Sequence, residues 1–201
     1  MSYSTNSVSR SELLMSSLEG FFRKADNINK ILPIINGSSK ISLRVIDWFV
    51  TNYSKKNNTS YFINKATNSI LKDENNYNPD YCKQFLVYID YKLQLKGYQK
   101  KQFDPFCRRA RINFYYETDK FFVTTVGQLN FFRWVINNKI LEYICENLKA
   151  IETDMNSCYK TQYCSKKKTK NNLKRRKRQE LSVSASKSLS KTNVTVVVSF
   201  D

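Results

Sequence analysis

The sequence predicts an α+β fold, in which a small antiparallel sheet within residues 61–123 is packed by two or three helices. Short stretches alternate apolar and polar residues and end at Asn, Gly or Pro, which is typical of half-exposed strands. Other segments repeat their apolar residues every three or four positions, as amphipathic helices do. The 13 Tyr, 13 Phe and two Trp residues bury large areas, so a chain of 201 residues can form one domain with a real core.

The first quarter of the chain is predicted to be mainly helical. The pattern Ser9–Glu12 is a capping box that opens a short first helix. Pro33 and Gly37 then indicate a non-helical stretch and a turn. Residues 41–53 carry an apolar stripe that predicts a second helix, although their β-branched residues would also suit a strand.

Four strands are predicted in the middle of the chain, beginning with the short segment Tyr61–Ile63. Phe85–Lys96 is the clearest of them, because its apolar residues fall on every second position. After a connection over residues 97–111, Ile112–Tyr116 and Phe121–Val123 complete what we expect to be an antiparallel meander.

The C-terminal part begins with a strong helix and ends in a tail. Residues 126–157 show helical periodicity after a cap at Thr125, with a candidate break at Asn137-Asn138. Alternating valines close the chain, and such a strand needs a partner edge in this chain or in another molecule. We therefore divide the chain into a disordered N-terminus (1–8), a single α+β domain (9–164), a basic and Ser-rich arm that we expect to be disordered (165–192), and a terminal strand (193–201).

Positive charge is the strongest global feature, with 34 Lys and Arg residues against 17 Asp and Glu residues. Nine of these cations lie between positions 165 and 180, beside a single acid. Such an arm gains affinity for a polyanion by releasing counterions from phosphates, without reading sequence; the alternative is a solubilising tail. Its candidate nucleic-acid-binding residues are Lys166, Lys167, Lys168, Lys170, Lys174, Arg175, Arg176, Lys177 and Arg178.

A second group of cations lies in the connection before Ile112, interleaved with aromatic residues. Cations suit contact with phosphates and aromatic rings suit base stacking, so the pattern favours a nucleic-acid contact. The alternative is that Phe103 and Phe106 fill the core while the cations merely face water. The candidate nucleic-acid-binding residues here are Lys100, Lys101, Arg108, Arg109 and Arg111.

The composition excludes most catalytic machinery. His is absent, so no Ser-His-Asp triad, Cys-His pair or His-ligated metal site is available. With four Gly, the chain has no phosphate-cradling loop, and its five Cys form no Cys-x-x-Cys pair. We therefore predict a protein that is not an enzyme, with no catalytic residue, no cofactor and no metal. An enzyme would have to use carboxylates such as Asp47, Asp90 and Asp104, or Cys107 beside two arginines.

Neither a secretion signal nor a membrane span is predicted. The first ten residues are polar, and no apolar run approaches the ~20 residues that cross a bilayer. We expect an intracellular, soluble protein. The two basic blocks of the arm, KKKTK and KRRKR, also have the spacing of a nuclear-import signal.

Several strings carry a resemblance to a known family. The strings are SLRVIDWFVTNYSKKN, YKLQLKGYQKKQFDPFCRR and TTVGQLNFFRWVINNKILEYI, with the closing ELSVSASKS and VVVSFD. They resemble an uncharacterised family of giant nucleocytoplasmic large DNA viruses such as mimiviruses. The resemblance covers about Ile31 to Asp201. It implies a viral context, and hence the host cytoplasm (a viral factory) or the virion, with the host nucleus as the alternative. It implies no catalytic or binding residue.

We predict from these features a viral nucleic-acid-binding protein, for DNA or RNA, that acts through its arm and its basic and aromatic connection. The alternative is a structural or assembly protein of the virion or viral factory. In that case the arm binds acidic proteins or membrane surfaces, and the terminal strand adds to a viral structural protein. Cations of the folded domain that gather on one face would favour nucleic-acid binding, whereas a terminal strand that leaves an open edge occupied by a second copy would favour assembly.

Overall fold

The computed structural model describes residues 9–71 and 78–168, and for residues 160–168 it describes the backbone alone. The chain divides into two compact units, Met1–Tyr159 and Lys160–Asp201, and all packing described below belongs to the first. The predicted disordered N-terminus (1–8), the arm beyond residue 168 and the predicted terminal strand (193–201) lie outside the described residues.

The first helix, α1, spans Arg10–Phe22 and begins at the predicted capping box. The Glu12 N–H donates to the Ser9 hydroxyl oxygen at 3.2 Å, and the Ser9 N–H donates to the Glu12 carboxylate at 2.8 Å. These two bonds satisfy backbone groups that the first turn of a helix leaves without partners. The apolar side of α1, including Leu14 and Leu18, is buried.

The second helix, α2, spans Ala25–Ile35, so the predicted non-helical stretch around Pro33 is wrong. Pro33 cannot donate a hydrogen bond to the carbonyl of Asn29, but both residues are exposed and water can satisfy that carbonyl. The predicted turn follows directly: Gly37 has a φ of 73°, which glycine adopts without steric cost.

The predicted helix over residues 41–53 is confirmed, and it consists of consecutive pieces. Helix α3 (Leu43–Trp48) begins where the Val45 N–H donates to the Ser42 hydroxyl oxygen at 3.3 Å. A π-helical segment (Phe49–Tyr53) and the short helix α4 (Ser54–Asn57) continue from it. The apolar stripe of these pieces faces the core, as the pattern predicted.

The first sheet contains two antiparallel strands, β1 (Ser60–Asn64) and β2 (Cys82–Leu86). Tyr61 and Phe85 are partners across it, with ring centroids 5.4 Å apart, and both side chains are buried. The predicted long strand Phe85–Lys96 is therefore wrong beyond Leu86. Helix α5 (Val87–Tyr98) occupies most of that segment.

The sequence of α5 fits two periodicities at once. Apolar residues at every second position suggested a strand, yet Val87, Tyr91 and Leu95 also recur every fourth position and pack against the core. Ile89 and Leu93, which a half-buried strand would have buried with them, are exposed. The packing of Tyr91 onto core aromatic rings decides in favour of the helix, because tertiary contacts override local patterns.

The second sheet is a separate antiparallel hairpin of β3 (Ile112–Tyr115) and β4 (Phe121–Thr124). The strands predicted at Ile112–Tyr116 and Phe121–Val123 are therefore confirmed. The predicted single meander is wrong, because the two sheets share no strand. Helix α5 and the short helix α6 (Lys100–Phe103) separate β2 from β3 along the chain.

The last helices are α7 (Val126–Asn137) and α8 (Ile140–Lys168), with the predicted break between them. The Gln128 N–H donates to the Thr125 hydroxyl oxygen at 3.2 Å and caps α7. Helix α8 extends eleven residues past the predicted end at 157, and no Gly or Pro interrupts it after Ile140.

Helix α7 forms the centre of the core, since most of its residues are buried and it contacts α1, α2 and α6. Phe103 of α6 packs against Phe131 and Trp134 of α7, with ring centroids 5.8 and 5.6 Å apart. The described residues therefore form an α+β fold, as predicted, in which helices surround α7 and two small antiparallel sheets complete the domain.

Candidate nucleic-acid interface

Three of the predicted arginines line one groove of about 380 Å³, which we call the arginine groove. One wall is the loop that follows α6, and the other is formed by β4 and the start of α7. All three arginine side chains are exposed. The lining residues used below are Phe106, Arg108, Arg109, Arg111, Val123 and Gln128.

Hydrogen bonds hold the loop in this position. The Asp104 carboxylate accepts a hydrogen bond from the Phe106 N–H at 2.8 Å and so fixes the turn at Pro105. The Gln128 amide donates to the Pro105 carbonyl at 3.1 Å and accepts from the Thr124 hydroxyl at 3.0 Å. Gln128 therefore links the loop, β4 and α7, and it sets the width of the groove between them.

A glycine allows α7 to lie against the loop. A Cβ atom at Gly127 would be only 3.1 Å from the Asp104 carbonyl oxygen and 3.4 Å from the Lys101 carbonyl oxygen. Both contacts are with backbone atoms, which cannot rotate away as a side chain could. The close approach brings the N-terminal turn of α7, with its partial positive charge, to the base of the groove.

The lining of the groove carries net positive charge, because it includes three arginines and, among the described residues, no carboxylate. The three arginines make no ion pair with the carboxylates of residues 9–71 and 78–159. Arg guanidinium groups present several donors that match phosphate oxygens. The groove can therefore bind a phosphate chain without first losing an ion pair to any of those carboxylates.

The two predicted lysines of α6 lie elsewhere. The Lys100 ammonium pairs with the Asp104 carboxylate at 3.6 Å. Lys101 lines a smaller cleft of about 200 Å³ together with Arg10 and Tyr98. The structure thus brings Arg108, Arg109 and Arg111 together and leaves both lysines outside their groove.

The two phenylalanines of the connection divide between the alternatives that the sequence left open: one fills the core and the other lies at the surface. Phe103 is fully buried and belongs to the core. Phe106 is 54% exposed and lines the arginine groove. Aromatic surface and cations therefore do meet, but through one ring of this segment rather than two.

The predicted arm residues lie in the last turn of α8 or beyond it. Lys166, Lys167 and Lys168 belong to α8, where only the backbone is described. The remaining predicted cations of the arm lie outside the described residues: Lys170, Lys174, Arg175, Arg176, Lys177 and Arg178.

Sequence reasoning missed the contribution of the β3–β4 hairpin. Val123 and Thr124 line the groove, and Tyr115 and Phe121 are exposed beside each other on the hairpin, with ring centroids 5.2 Å apart. The alternation of these strands carried a usable signal, since a strand buries every second residue and turns the others outward. Large aromatic residues at the outward positions indicate a contact surface.

The candidate carboxylates have structural partners or are partly buried. Asp90 accepts hydrogen bonds from the Trp134 indole at 2.6 Å and from Gln94 at 3.4 Å. Burial, reinforced by the charge of Asp104, raises the pKa of Asp47 to about 6. Among the described residues, no three acidic or Cys side chains are grouped closely enough to hold a metal ion.

No helix within residues 9–71 and 78–168 combines the length and apolar composition required to cross a bilayer.

Comparison with known proteins places the chain in a viral context. It is similar to Uncharacterized protein L507 of Acanthamoeba polyphaga mimivirus, with 49% identity over 131 residues. The match covers 62% of this chain and 45% of the mimivirus protein, so the chain matches less than half of that relative's length.

No solved structure matches the chain significantly. Residues 5–201 match the model of DUF7197, a family of unknown function, and these findings confirm the resemblance to an uncharacterised viral family. Because this match covers almost the entire chain, the chain belongs to the family DUF7197.

Proposed function

We propose that this protein binds nucleic acid through the arginine groove of its folded domain and through its basic C-terminal arm. The observation that carries the proposal is the convergence of Arg108, Arg109 and Arg111 on one groove that, among the described residues, has no carboxylate in its lining. In the proposed complex the guanidinium groups contact phosphates, and the arm adds affinity through counterion release. Catalysis has no part in this proposal.

The proposal also includes a place of action. A protein similar to one of a mimivirus would meet viral DNA or RNA in the host cytoplasm, in a viral factory, or in the virion. Condensing, packaging or organising a genome or transcript needs affinity for phosphates more than base recognition. An arm that carries nine cations suits that task.

The second candidate is a structural or assembly protein. It is favoured by an exposed apolar stripe on one side of α5 and the residue before it, formed by Leu86, Ile89 and Leu93. Exposed apolar residues grouped at helical spacing often contact another protein. In this alternative the basic groove and arm would bind an acidic protein surface instead of phosphates.

The test is the binding of labelled DNA and RNA to the full chain across a salt series, with the groove cations neutralised by Arg108→Gln, Arg109→Gln and Arg111→Gln together. We expect tighter binding at low salt and a steep salt dependence for the unchanged protein. Losing three phosphate contacts should reduce the slope of log K against log salt by about 2 on a single strand.

A matched control removes the same charge from exposed positions outside the groove, through Lys24→Gln, Lys40→Gln and Lys149→Gln together. The control should leave the salt slope nearly unchanged. Equal losses in the two triple variants would show that net charge alone acts, and would contradict a role for the groove. If the full chain binds no nucleic acid even at low salt but binds an acidic polypeptide, the assembly candidate replaces the proposal.

A further inference from the structure

The β3–β4 hairpin has one apolar face inside the domain and another at the surface. On the inner face, Phe114 and Phe122 are cross-strand partners and both are buried. On the outer face the corresponding partners are Tyr115 with Phe121 and Asn113 with Val123. We call these four outer residues the hairpin platform. Its two aromatic side chains are 60% and 48% exposed, for Tyr115 and Phe121 respectively.

The inner face holds the hairpin against the core. The Phe114 ring packs edge-on against Phe22 of α1, with centroids 6.0 Å apart, and against Phe122 at 5.6 Å. The Tyr116 ring also packs against Phe122, at 6.0 Å. These contacts fix the strands, so the aromatic rings on the opposite face are presented on a supported surface rather than on a mobile loop.

The hairpin platform continues into the arginine groove. Val123 belongs to both surfaces, and Phe121 lies two residues away on the same face of β4, at about 6.6 Å along the strand. On the other side, Tyr115 borders a cleft that contains both Glu19 and Arg23, where the charges balance. Within the described part of the chain, positive charge with no carboxylate in the same lining therefore lies along one edge of the aromatic surface, the edge next to β4.

We propose that the hairpin platform and the arginine groove together bind single-stranded nucleic acid, with unpaired bases stacked on Tyr115 and Phe121 and the phosphates held by the arginines. This inference rests on the proposed nucleic-acid binding and specifies its substrate class. Stacking on aromatic rings next to a basic groove is the physical basis of recognising a single strand without reading its sequence.

A duplex does not fit this arrangement as well. Its bases are already paired and stacked, so their faces cannot reach rings beside the phosphate contacts unless the duplex opens. A duplex could still bind the arginine groove through its phosphates. We therefore expect the aromatic rings to add affinity for single strands and to add none for duplexes.

An acidic protein partner matches only one part of this surface. Its carboxylates can pair with the arginines but offer no flat face to the exposed aromatic rings, although Arg, Tyr and Phe are all common in protein interfaces. Here three arginines form one continuous surface with Phe106, Val123 and the aromatic pair. Such a surface complements a ligand that alternates flat apolar faces with anionic groups, as a nucleotide chain does.

The experiment compares the affinity of the full chain for oligothymidylate, oligouridylate and a DNA duplex of equal length. The test variant combines Tyr115→Leu and Phe121→Leu, which removes the π-faces but retains apolar side chains in the hairpin. A rescue variant combines Tyr115→Phe and Phe121→Tyr, which restores two rings. The control is Tyr81→Leu, which removes an exposed ring outside the hairpin platform.

We expect the leucine variant to lose roughly 10- to 100-fold in affinity for both single strands and to bind the duplex as before. The rescue and control variants should bind like the unchanged protein. A loss that the rescue variant shares equally would indicate damage to the fold and would overturn the inference, as would an unchanged affinity of the leucine variant for single strands.

The two proposals fail in different ways. If the leucine variant keeps its affinity for single strands, while the arginine variant loses affinity for both single strands and duplex, the groove binds phosphates but the stacking inference is wrong. If oligothymidylate binds no better than polyglutamate, and the leucine variant binds both unchanged, the surface recognises charge alone and stacking is again excluded. If no nucleic acid binds, the proposed function and the inference fall together.

Discussion

Asp47 lies in α3 with a partly buried carboxyl group whose pKa is raised from 3.8 to about 6, first by burial and then by the charge of Asp104. Asp154 has the opposite behaviour. It accepts hydrogen bonds from the Lys56 ammonium and from the Trp48 indole, and the bond from Lys56 is the main reason that its pKa is lowered. At neutral pH the ionised carboxylate of Asp47 therefore destabilises the fold, whereas the ionised carboxylate of Asp154 stabilises it.

The pH dependence follows from these directions. A raised pKa means that folded Asp47 binds its proton more tightly than unfolded Asp47 does. Its favourable contribution is fully present below pH 3.8 and is lost as the pH rises through about 6. Asp47→Asn should therefore increase the free energy of unfolding by about 1 kcal/mol at pH 7 to 8, with little effect near pH 4. Urea denaturation across this pH range measures the difference.

Asp154→Asn provides the comparison, because it removes a carboxylate whose lowered pKa favours the folded state. Its effect should be destabilising at neutral pH and should shrink as the pH falls through the lowered pKa of Asp154. Stability profiles that move in the same direction for both variants would contradict the environments assigned to the two carboxylates.

At the scale of elements, the sequence predicted where most helices and strands lie but not how the strands pair. The capping box at Ser9 and the N-cap at Thr125 marked helix starts correctly, because each depends on local hydrogen bonds. The error at α5 arose because alternating apolar residues fit a strand and a helix equally well until the core selects one. With a helix there, β2 had only β1 as a partner, and the meander could not form.

The contact between α7 and the loop of the arginine groove gives a prediction with a matched control. Gly127→Ala would place a methyl group 3.1 Å from the Asp104 carbonyl oxygen, so the loop must shift. We expect a loss of roughly 1 kcal/mol in the free energy of unfolding, with weaker nucleic-acid binding as the arginines move. Thermal or urea unfolding and a binding titration measure both effects.

Gly20→Ala is the control, since Gly20 lies inside α1 and a Cβ atom there meets nothing within 4 Å. It should stabilise the protein by about 0.5–1 kcal/mol, because alanine loses less conformational entropy in a helix. If Gly127→Ala stabilises the protein as much as Gly20→Ala does, the loop is not packed against α7 as described.

At the scale of the whole molecule, the sequence identified the positive charge of the arginine groove but only one of the groove's two walls. Arg108, Arg109 and Arg111 are neighbours in the chain, so their grouping could be predicted locally. Their groove could not, because its other wall comes from β4 and α7. Lys100 is close in sequence but pairs with Asp104, four residues later, a spacing that brings the two side chains together only where the chain is helical.

At this scale we propose, as the central claim, that a single strand lies along the arginine groove and the hairpin platform of the folded domain. Photo-crosslinking of the full chain to bromouridine-substituted single strands, followed by mass spectrometry of the crosslinked peptides, locates that contact directly. We predict adducts on Phe106, Tyr115 or Phe121, in addition to any on the arm. Adducts confined to the arm, or to surfaces of the domain outside the arginine groove and the hairpin platform, would contradict the claim.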